Sequence, residues 1–323
     1  MVGKSKYNLT KEFLEDLYLN RRKSILGISN DLNIHFTTIY YNLIKYKIPI
    51  RGKRYQSYET RIKLSKKYSR LFRKPFNKSN NFKSYLMGLV LGDFTPRKEG
   101  FRIKISCAST HLAQLDLFKK SISKFAEIRK YPAKDHKSSN GYTINMYAYL
   151  DETFSFLLNK KFKDIEWIFK NDKYFWNFLA AFFDCEGCPY IHEINRKIGP
   201  SHLQMHISIS NNNHEILNRI RDFLVRSGLN VSNIRLVKDR NYELSINSRL
   251  DVINFIKKLR PLVKHSEKLR KINFILKNKD AKYYHEISDG WDKLRNDILK
   301  EREHNINEAK INYINSHTSE VKI

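Results

Sequence analysis

Two apolar runs end in acids. "YLMGLVLGDF" (85–94) stops at Asp93, and "FLAAFFDCEG" (178–187) stops at Asp184 and Glu186. A carboxylate at a helix C-terminus is unfavourable, because the helix dipole already makes that end negative. Two such ends side by side repel further. A hard divalent cation, Mg²⁺ or Mn²⁺, offsets both effects, since it takes oxygen ligands and keeps bound water. Paired acids around such a cation suit phosphodiester hydrolysis, in which a water is activated and the leaving oxygen is stabilised.

The elements that carry the acids must bring them together. Read as helices, the runs place Gly88 and Gly92 on one face of the first and Ala181 and Cys185 on one face of the second. Small residues at those positions predict a close helix pair, with Asp93 and Glu186 side by side at its end. The larger apolar residues, Leu86, Leu89, Val90, Leu179, Phe182 and Phe183, then point into two cores.

The chain repeats itself around these runs, and the two acids stand 93 residues apart. "ISCASTHLAQLDLFKKSISKF" pairs with "ISISNNNHEILNRIRDFLVRSG", and "NGYTINMYAYLDETFSFLL" pairs with "RNYELSINSRLDVINFIKKL". Alternation at Phe101, Ile103, Ile105 and at Leu203, Met205, Ile207, Ile209 predicts strands. Helical spacing at Leu115, Phe118, Ile122 and at Leu217, Ile220, Leu224 predicts the helix that follows each. Two similar halves in one chain predict a pseudo-two-fold pair, and hence a monomer.

Charge points to the partner. Lys plus Arg is 61 against 33 Asp plus Glu, a formal net of +28, so a polyanion must neutralise the compact chain. Nucleic acid fits, because neutralising phosphates releases counterions. A merely basic or ribosome-associated protein is the alternative. No apolar run reaches the roughly 18–20 residues of a membrane span, and the N-terminus has no apolar signal core, so no membrane is expected. Three cysteines do not make a disulfide framework, which predicts a reduced, cytoplasmic chain, or an organellar one if organelle-encoded.

Residues 1–50 read as short helices, with Ile25, Ile28, Leu32, Ile34, Ile39 and Leu43 inside and a tight turn near Asn33. Phe36, Thr37, Tyr40, Tyr41 and Lys45 would be exposed. This resembles the helix-turn-helix family, whose second helix enters the major groove. It departs from the usual pattern at Asn33, where Gly is common, and at His35, where Ser or Thr often caps. Residues 51–80 hold eleven Lys or Arg and one acid, Glu59, and read as a basic linker along a phosphate backbone.

With both acid-tipped runs in view, "LMGLVLGDF" (86–94) and "LAAFFDCEG" (179–187) resemble the paired motifs of the LAGLIDADG homing endonucleases. The resemblance covers about residues 81–280 and implies an α+β fold, a duplicated αββαββα unit whose sheets form a saddle over double-stranded DNA. It implies that Asp93 and Glu186 are the catalytic, metal-binding acids and that Asp184 is a structural residue at the helix end. It also implies polar and basic helpers near the metal: Ser109 or Thr110 in one half, Asn211 or Asn212 in the other, and Lys264 or Lys268. The first motif departs from the family at Phe94, where Gly is usual, with Pro96 soon after; the second has Ala181 for Gly.

The expected domains are a helix-turn-helix module (1–50), the linker (51–80), two halves (81–172 and 173–280), and a C-terminal helix with a polar, disordered tail (281–323). Leu269, Ile272, Ile275 and Leu276 mark one helical face over 266–300. DNA would be read from alternate strand residues: Arg102 and Lys104 in one half, Gln204, His206 and Ser208 in the other, with Arg235 and Lys238 on the later hairpin. Phosphate contact is the alternative for each. Cys185, Cys188 and His192 form a C-x-x-C with a nearby His, but no fourth zinc ligand is evident, and Cys185 is better explained as a small interface residue. The expected function is a divalent-metal-dependent double-strand cut in a long asymmetric DNA site. The alternatives are an intron RNA maturase of the same fold, with intron RNA as its partner, and a catalytically inactive transcription regulator.

Overall fold

A computed structural model describes residues 9–50, 73–134, 141–194, 201–238 and 240–318. Most of the basic linker, residues 51–72, lies outside the described residues. The chain divides into two compact units, Met1–Arg70 and Leu71–Ile323.

In the first unit, α1 (Lys11–Glu15) widens into a π-turn over Asp16–Asn20, followed by α2 (Ile25–Leu32) and α3 (Phe36–Lys45). Thr10 and Ser24 cap α1 and α2, their hydroxyls accepting from the backbone N–H groups of Phe13 and Gly27. Leu14, Tyr18, Ile28, Ile39, Leu43 and Ile48 form its small core. Asn33 takes the left-handed conformation at the turn (φ 51°), which Asn tolerates better than other residues with a Cβ. Ser29 is buried, and its hydroxyl donates to the Ile34 carbonyl across that turn. His35 makes no side-chain cap and instead contacts the Thr37 hydroxyl at 2.7 Å.

The second unit is two copies of one arrangement. In the first copy α4 (Asn80–Leu91) leads to β1 (Thr95–Glu99), β2 (Arg102–Ser109), α5 (Leu112–Ile122), β3 (Ile128–Lys134) and β4 (Tyr142–Asp151). A 3₁₀ turn (Glu152–Leu158) and α6 (Phe162–Phe169) complete it. In the second, α7 (Asp172–Glu186) leads to β5 (Gly187–Ile194), β6 (His202–Asn211), α8 (His214–Arg226), β7 (Arg235–Lys238), β8 (Asn241–Ile246) and α9 (Arg249–Leu259). Both sheets are four-stranded and antiparallel, in the orders β1-β2-β4-β3 and β5-β6-β8-β7. This is the α+β, duplicated αββαββα fold.

Strand alternation sets the faces. Ile103, Ile105 and Cys107 of β2, and Leu203, Met205, Ile207 and Ile209 of β6, are buried against the helices. Phe101 lies in the turn before β2 and is half-buried. The copies diverge after β4, where "ETFSFLL" is 3₁₀ while its counterpart is the α-helix α9. Phe154 and Leu157 are buried three residues apart, matching the three-residue turn, and Thr, Ser and Phe favour an α-helix only weakly.

The C-terminal segment differs from the expected single helix and disordered tail. α10 (Ser266–Lys277) and α11 (Ser288–Thr318) are separate, and α11 continues through the polar residues to Thr318. Sparse anchors hold it: Trp291, Ile298, Asn305 and Ala309 are buried, and Glu301 and Glu267 accept from Arg270 and Arg302. At its far end the Tyr313 ring lies 5.4 Å from Tyr142 of the first half. Anchors this widely spaced leave little apolar periodicity to read. No helix among the described residues is long and apolar enough to cross a membrane.

α4 and α7 pack at the centre, and glycine permits it. A Cβ on Gly88 would overlap the Phe178 carbonyl oxygen and lie 2.8 Å from the Ala181 Cβ. One on Gly92 would overlap the Cys185 Cβ. Gly88→Ala is therefore expected to destabilise the protein by about 3 kcal/mol, as overpacking of a rigid core does. Urea titration checks this; an unchanged midpoint would mean that the helices separate freely.

Candidate active site

The tips of α4 and α7 close differently. On α4 the Gly92 N–H donates to the Gly88 carbonyl at 3.1 Å and the Phe94 N–H to the Leu89 carbonyl at 2.9 Å. Phe94 turns into the core, its ring 5.1 Å from Phe118, so the family-atypical residue is accommodated as packing. On α7 the Lys268 ammonium, from α10, donates to the Phe183 and Cys185 carbonyls, each at 2.8 Å. Both carbonyls lie in the last turn of α7, where a cation opposes the dipole; the Phe183 carbonyl also accepts from the Gly187 N–H.

Each acid is then held by an amide. Asp93 accepts from Gln114 Nε2 at 2.9 Å, and Glu186 accepts from Asn211 Nδ2 at 2.8 Å. Gln114 sits in the first turn of α5 and Asn211 ends β6; in the aligned copies Asn211 corresponds to Ser109 and Gln114 to Ile216, so the two halves supply their amides from different positions. Burial pushes the Asp93 carboxyl up, with Lys268 pulling it back. Burial, and next the neighbouring Asp93 charge, push Glu186 up to about 7.

Asp184 does something else. It is fully buried and accepts from the Tyr85 hydroxyl (3.1 Å) and from the backbone N–H groups of Lys264 (2.9 Å) and His265 (3.1 Å). Burial outweighs those three donors and lifts its carboxyl to about 6. Asp184 thus ties the start of α10 to both central helices and positions Lys268.

Of the helpers named from sequence, Lys268 meets the helix tip, whereas the Lys264 ammonium lies over the Tyr85 ring at 3.6 Å. Asn211 rather than Asn212 reaches an acid, and Asn212 is exposed. In the first half the hydrogen bond to Asp93 comes from Gln114 rather than Ser109 or Thr110; the Ser109 hydroxyl accepts from the His111 N–H, and Thr110 is half-buried. Gln114 carried a readable signal, a polar residue among the buried positions Ala113, Leu115 and Leu117 of an amphipathic helix. His111 and, from the C-terminal helices, Lys271 and Arg302 were not anticipated; they line a cleft of about 330 Å³ with Asp93 and Lys268.

The predicted DNA readers fall on the outer faces of the sheets. Arg102 and Lys104 lie over the rings of Tyr149 (3.7 Å) and Tyr147 (4.9 Å) and near Glu99. Gln204 borders a recess on the second sheet, but His206 and Ser208 are buried, with the Tyr190 ring tilted against His206 at 4.3 Å. Arg235 is paired to Glu243 at 2.6 Å, and Lys238 ends β7. In the first unit, Tyr40, Tyr41 and Lys45 are exposed on α3 and Thr37 is half-buried.

The donor set fits a hard divalent cation. Both carboxylates offer oxygen, and each amide holds one carboxylate without supplying positive charge. Among the described residues no group of three His, Cys, Asp or Glu side chains could hold a metal, and Cys185 and Cys188 are free cysteines. A cation at the two acids would therefore complete its shell from water and substrate oxygens, as Mg²⁺ does. Binding must displace the proton that Glu186 keeps up to about pH 7. Mn²⁺ affinity is expected to rise about tenfold from pH 6 to pH 8, and Glu186→Gln to lose that dependence. The contribution of Glu186 to metal-free stability has the opposite sign: the folded carboxyl holds its proton to higher pH than the unfolded one, so that contribution is expected to fall as pH rises through about 7. Mn²⁺ titration followed by electron paramagnetic resonance checks the first trend; a flat profile would contradict the assignment of Glu186.

Residues 176–260 match the family model described as the LAGLIDADG-like domain. Among solved structures, the chain is similar to I-DmoI in complex with DNA and Mn, at 17% identity and a TM-score of 0.36, covering 56% of this chain and 96% of that one. It is similar to I-CvuI in complex with its target in the presence of 2 mM Ca, at 18% identity and a TM-score of 0.28, covering 42% and 80%. The N-terminal LAGLIDADG domain of DUF199/WhiA matches at 20% identity and a TM-score of 0.36, covering 58% and 86%. No curated protein matches the chain. The chain thus carries a LAGLIDADG-like domain in its second half, preceded by a second copy of the same fold.

Proposed function

We propose that the protein is a divalent-metal-dependent DNA endonuclease that makes a double-strand cut in a long, asymmetric site, acting as a monomer in the manner of a homing endonuclease. One observation carries this reading: Asp93 and Glu186 end two touching helices, and each is held by an amide from its own half. Bound Mg²⁺ or Mn²⁺ would activate a water and stabilise the leaving oxygen. The protein's own part is positioning. Gln114 and Asn211 fix the carboxylate rotamers, and Lys268 anchors the α7 tip so that Glu186 keeps its place. Lys271 and Arg302, in the cleft beside Asp93, offer positive charge to a phosphate.

The two outer faces carry different side chains, which suits an asymmetric target. We assign the first unit to DNA as a helix-turn-helix module, with Tyr40, Tyr41 and Lys45 of α3 toward the groove. It would raise affinity through effective concentration. In this reading the basic linker follows the phosphate backbone.

Asp93→Asn and Glu186→Gln are each expected to lower double-strand cleavage by on the order of 10²–10³ while leaving duplex affinity within about threefold. The measurement is Mg²⁺-dependent cleavage of a randomised duplex library, with binding followed in Ca²⁺. Cutting at wild-type rates by both variants would sink the assignment; specific binding without cutting by the wild type would favour a regulator. Deleting residues 1–50 is expected to weaken duplex binding and flatten its salt dependence, read by titration at several salt concentrations.

A further inference from the structure

The outer face of the first sheet holds more aromatic surface than reading a duplex requires. Tyr131, Tyr147 and Tyr149 share that face, with ring centroids 5.9 Å apart for the first pair and 5.6 Å for the second. Tyr131 is 47% exposed, and the other two are half-buried. Cations surround them. Lys104 stands opposite both Arg97 and Tyr149 in the strand register, and Arg129 stands opposite Tyr147. Arg102 covers the Tyr149 ring at 3.7 Å. Glu99 lies near Arg102 and Lys104, at 3.6 and 3.8 Å, and Asp151 stands opposite Arg102 in the strand register. Such exposed pairs are worth little and exchange readily for phosphate.

In a duplex the base faces are hidden by stacking, so three adjacent rings on a sheet have no base faces to meet. Unpaired bases do offer them, and aromatic side chains on a four-stranded sheet bind single strands by stacking while flanking cations hold the phosphates. Ser106 and Asn145 lie on the same face, opposite Tyr147 and Tyr131, with Thr95 beyond Ser106 on β1, and their hydroxyl and amide groups can meet a ribose 2′-hydroxyl. The second sheet's outer face is built differently, from Tyr190, His192, Gln204, His206 and Ser245 around a recess. We propose that the first sheet's outer face binds single-stranded RNA, with unpaired bases stacked on Tyr131, Tyr147 and Tyr149 and phosphates on Arg97, Arg102, Lys104 and Arg129. This goes beyond the nuclease reading and does not depend on it, because binding needs neither metal nor the acids.

The test uses the full chain in EDTA with fluorescein-labelled single-stranded RNA of mixed sequence, read by anisotropy. The wild type binds. The Tyr147→Ala, Tyr149→Ala double variant weakens binding at least about thirtyfold, and Tyr131→Ala about fivefold. The Tyr147→Phe, Tyr149→Phe variant, which keeps both rings, stays within about threefold. Thermal melts followed by circular dichroism identify a variant that has lost its fold, in which case Tyr131→Ala decides. Absence of RNA binding by the wild type overturns the proposal, as does equal binding by wild type and the folded alanine variants. Equal binding of single-stranded DNA or of duplex RNA overturns the assignment to single-stranded RNA. Loss of DNA cleavage in the same preparations bears on the nuclease reading alone.

Discussion

Two carboxylates at the negative ends of two touching helices repel each other and the helices that carry them, and much of the molecule is arranged around that fact. The helices touch because Gly88 and Gly92 present no Cβ to Ala181 and Cys185. Closeness brings Asp93 and Glu186 into one another's field, and their partly desolvated surroundings raise both carboxyls. The protein relieves the strain only in part. Lys268 satisfies the α7 carbonyls, and the amides of Gln114 and Asn211 each give one hydrogen bond. None of these removes the Asp93–Glu186 repulsion, and both carboxyls stay raised. Two raised carboxyls at one place are what the proposed cation site requires.

The relief depends on a second buried carboxylate. Asp184 lies inside the core and accepts three hydrogen bonds, two of them from the turn that begins α10. That turn places Lys268 one helical turn further on, within reach of the α7 tip. The Lys264 ammonium over the Tyr85 ring closes the same corner from the other side. Removing one partner from such a buried set leaves the rest uncompensated, so the corner is expected to behave as a unit.

The helix pair was legible because its signal is chemical and repeated: small residues four apart, acids at the ends, and the same order of elements twice. The sheets were legible from alternation, down to Ile103, Ile105, Met205 and Ile207 as core residues. The partners of the acids were harder to read. The resemblance implied a polar residue at each strand-to-helix turn, Ser109 or Thr110 and Asn211 or Asn212, but which of several adjacent polar residues turns inward depends on where strand becomes helix, and boundaries are the least readable feature of a sequence. His206 misled for a related reason. Strand parity put it correctly on the outer face, but cover from the neighbouring strand's Tyr190 is a tertiary fact that parity does not contain. α11 escaped because its anchors are few and its stability comes from ion pairs to α10 and contacts with the first half.

That last helix explains why two copies of one fold are not equal. α10 and α11 follow only the second copy, yet α11 reaches back to Tyr142 of the first. Their side chains gather beside Asp93: Lys268 and Lys271 from α10 and Arg302 from α11, with Glu267 accepting from Arg302. Glu186 does not line that cleft. The pseudo-two-fold relation therefore holds for the order of elements and for the strand order of the sheets, and it fails for the amides, which come from different positions in the two copies, and for the charge around the acids. The outer faces break it again, with three adjacent tyrosines on one sheet and Tyr190 among histidine, serine and glutamine on the other. A duplicated fold needs symmetry only where the copies touch, at Gly88, Gly92, Ala181 and Cys185. Away from that contact each half is free to meet a different ligand surface, and there the two sequences diverge.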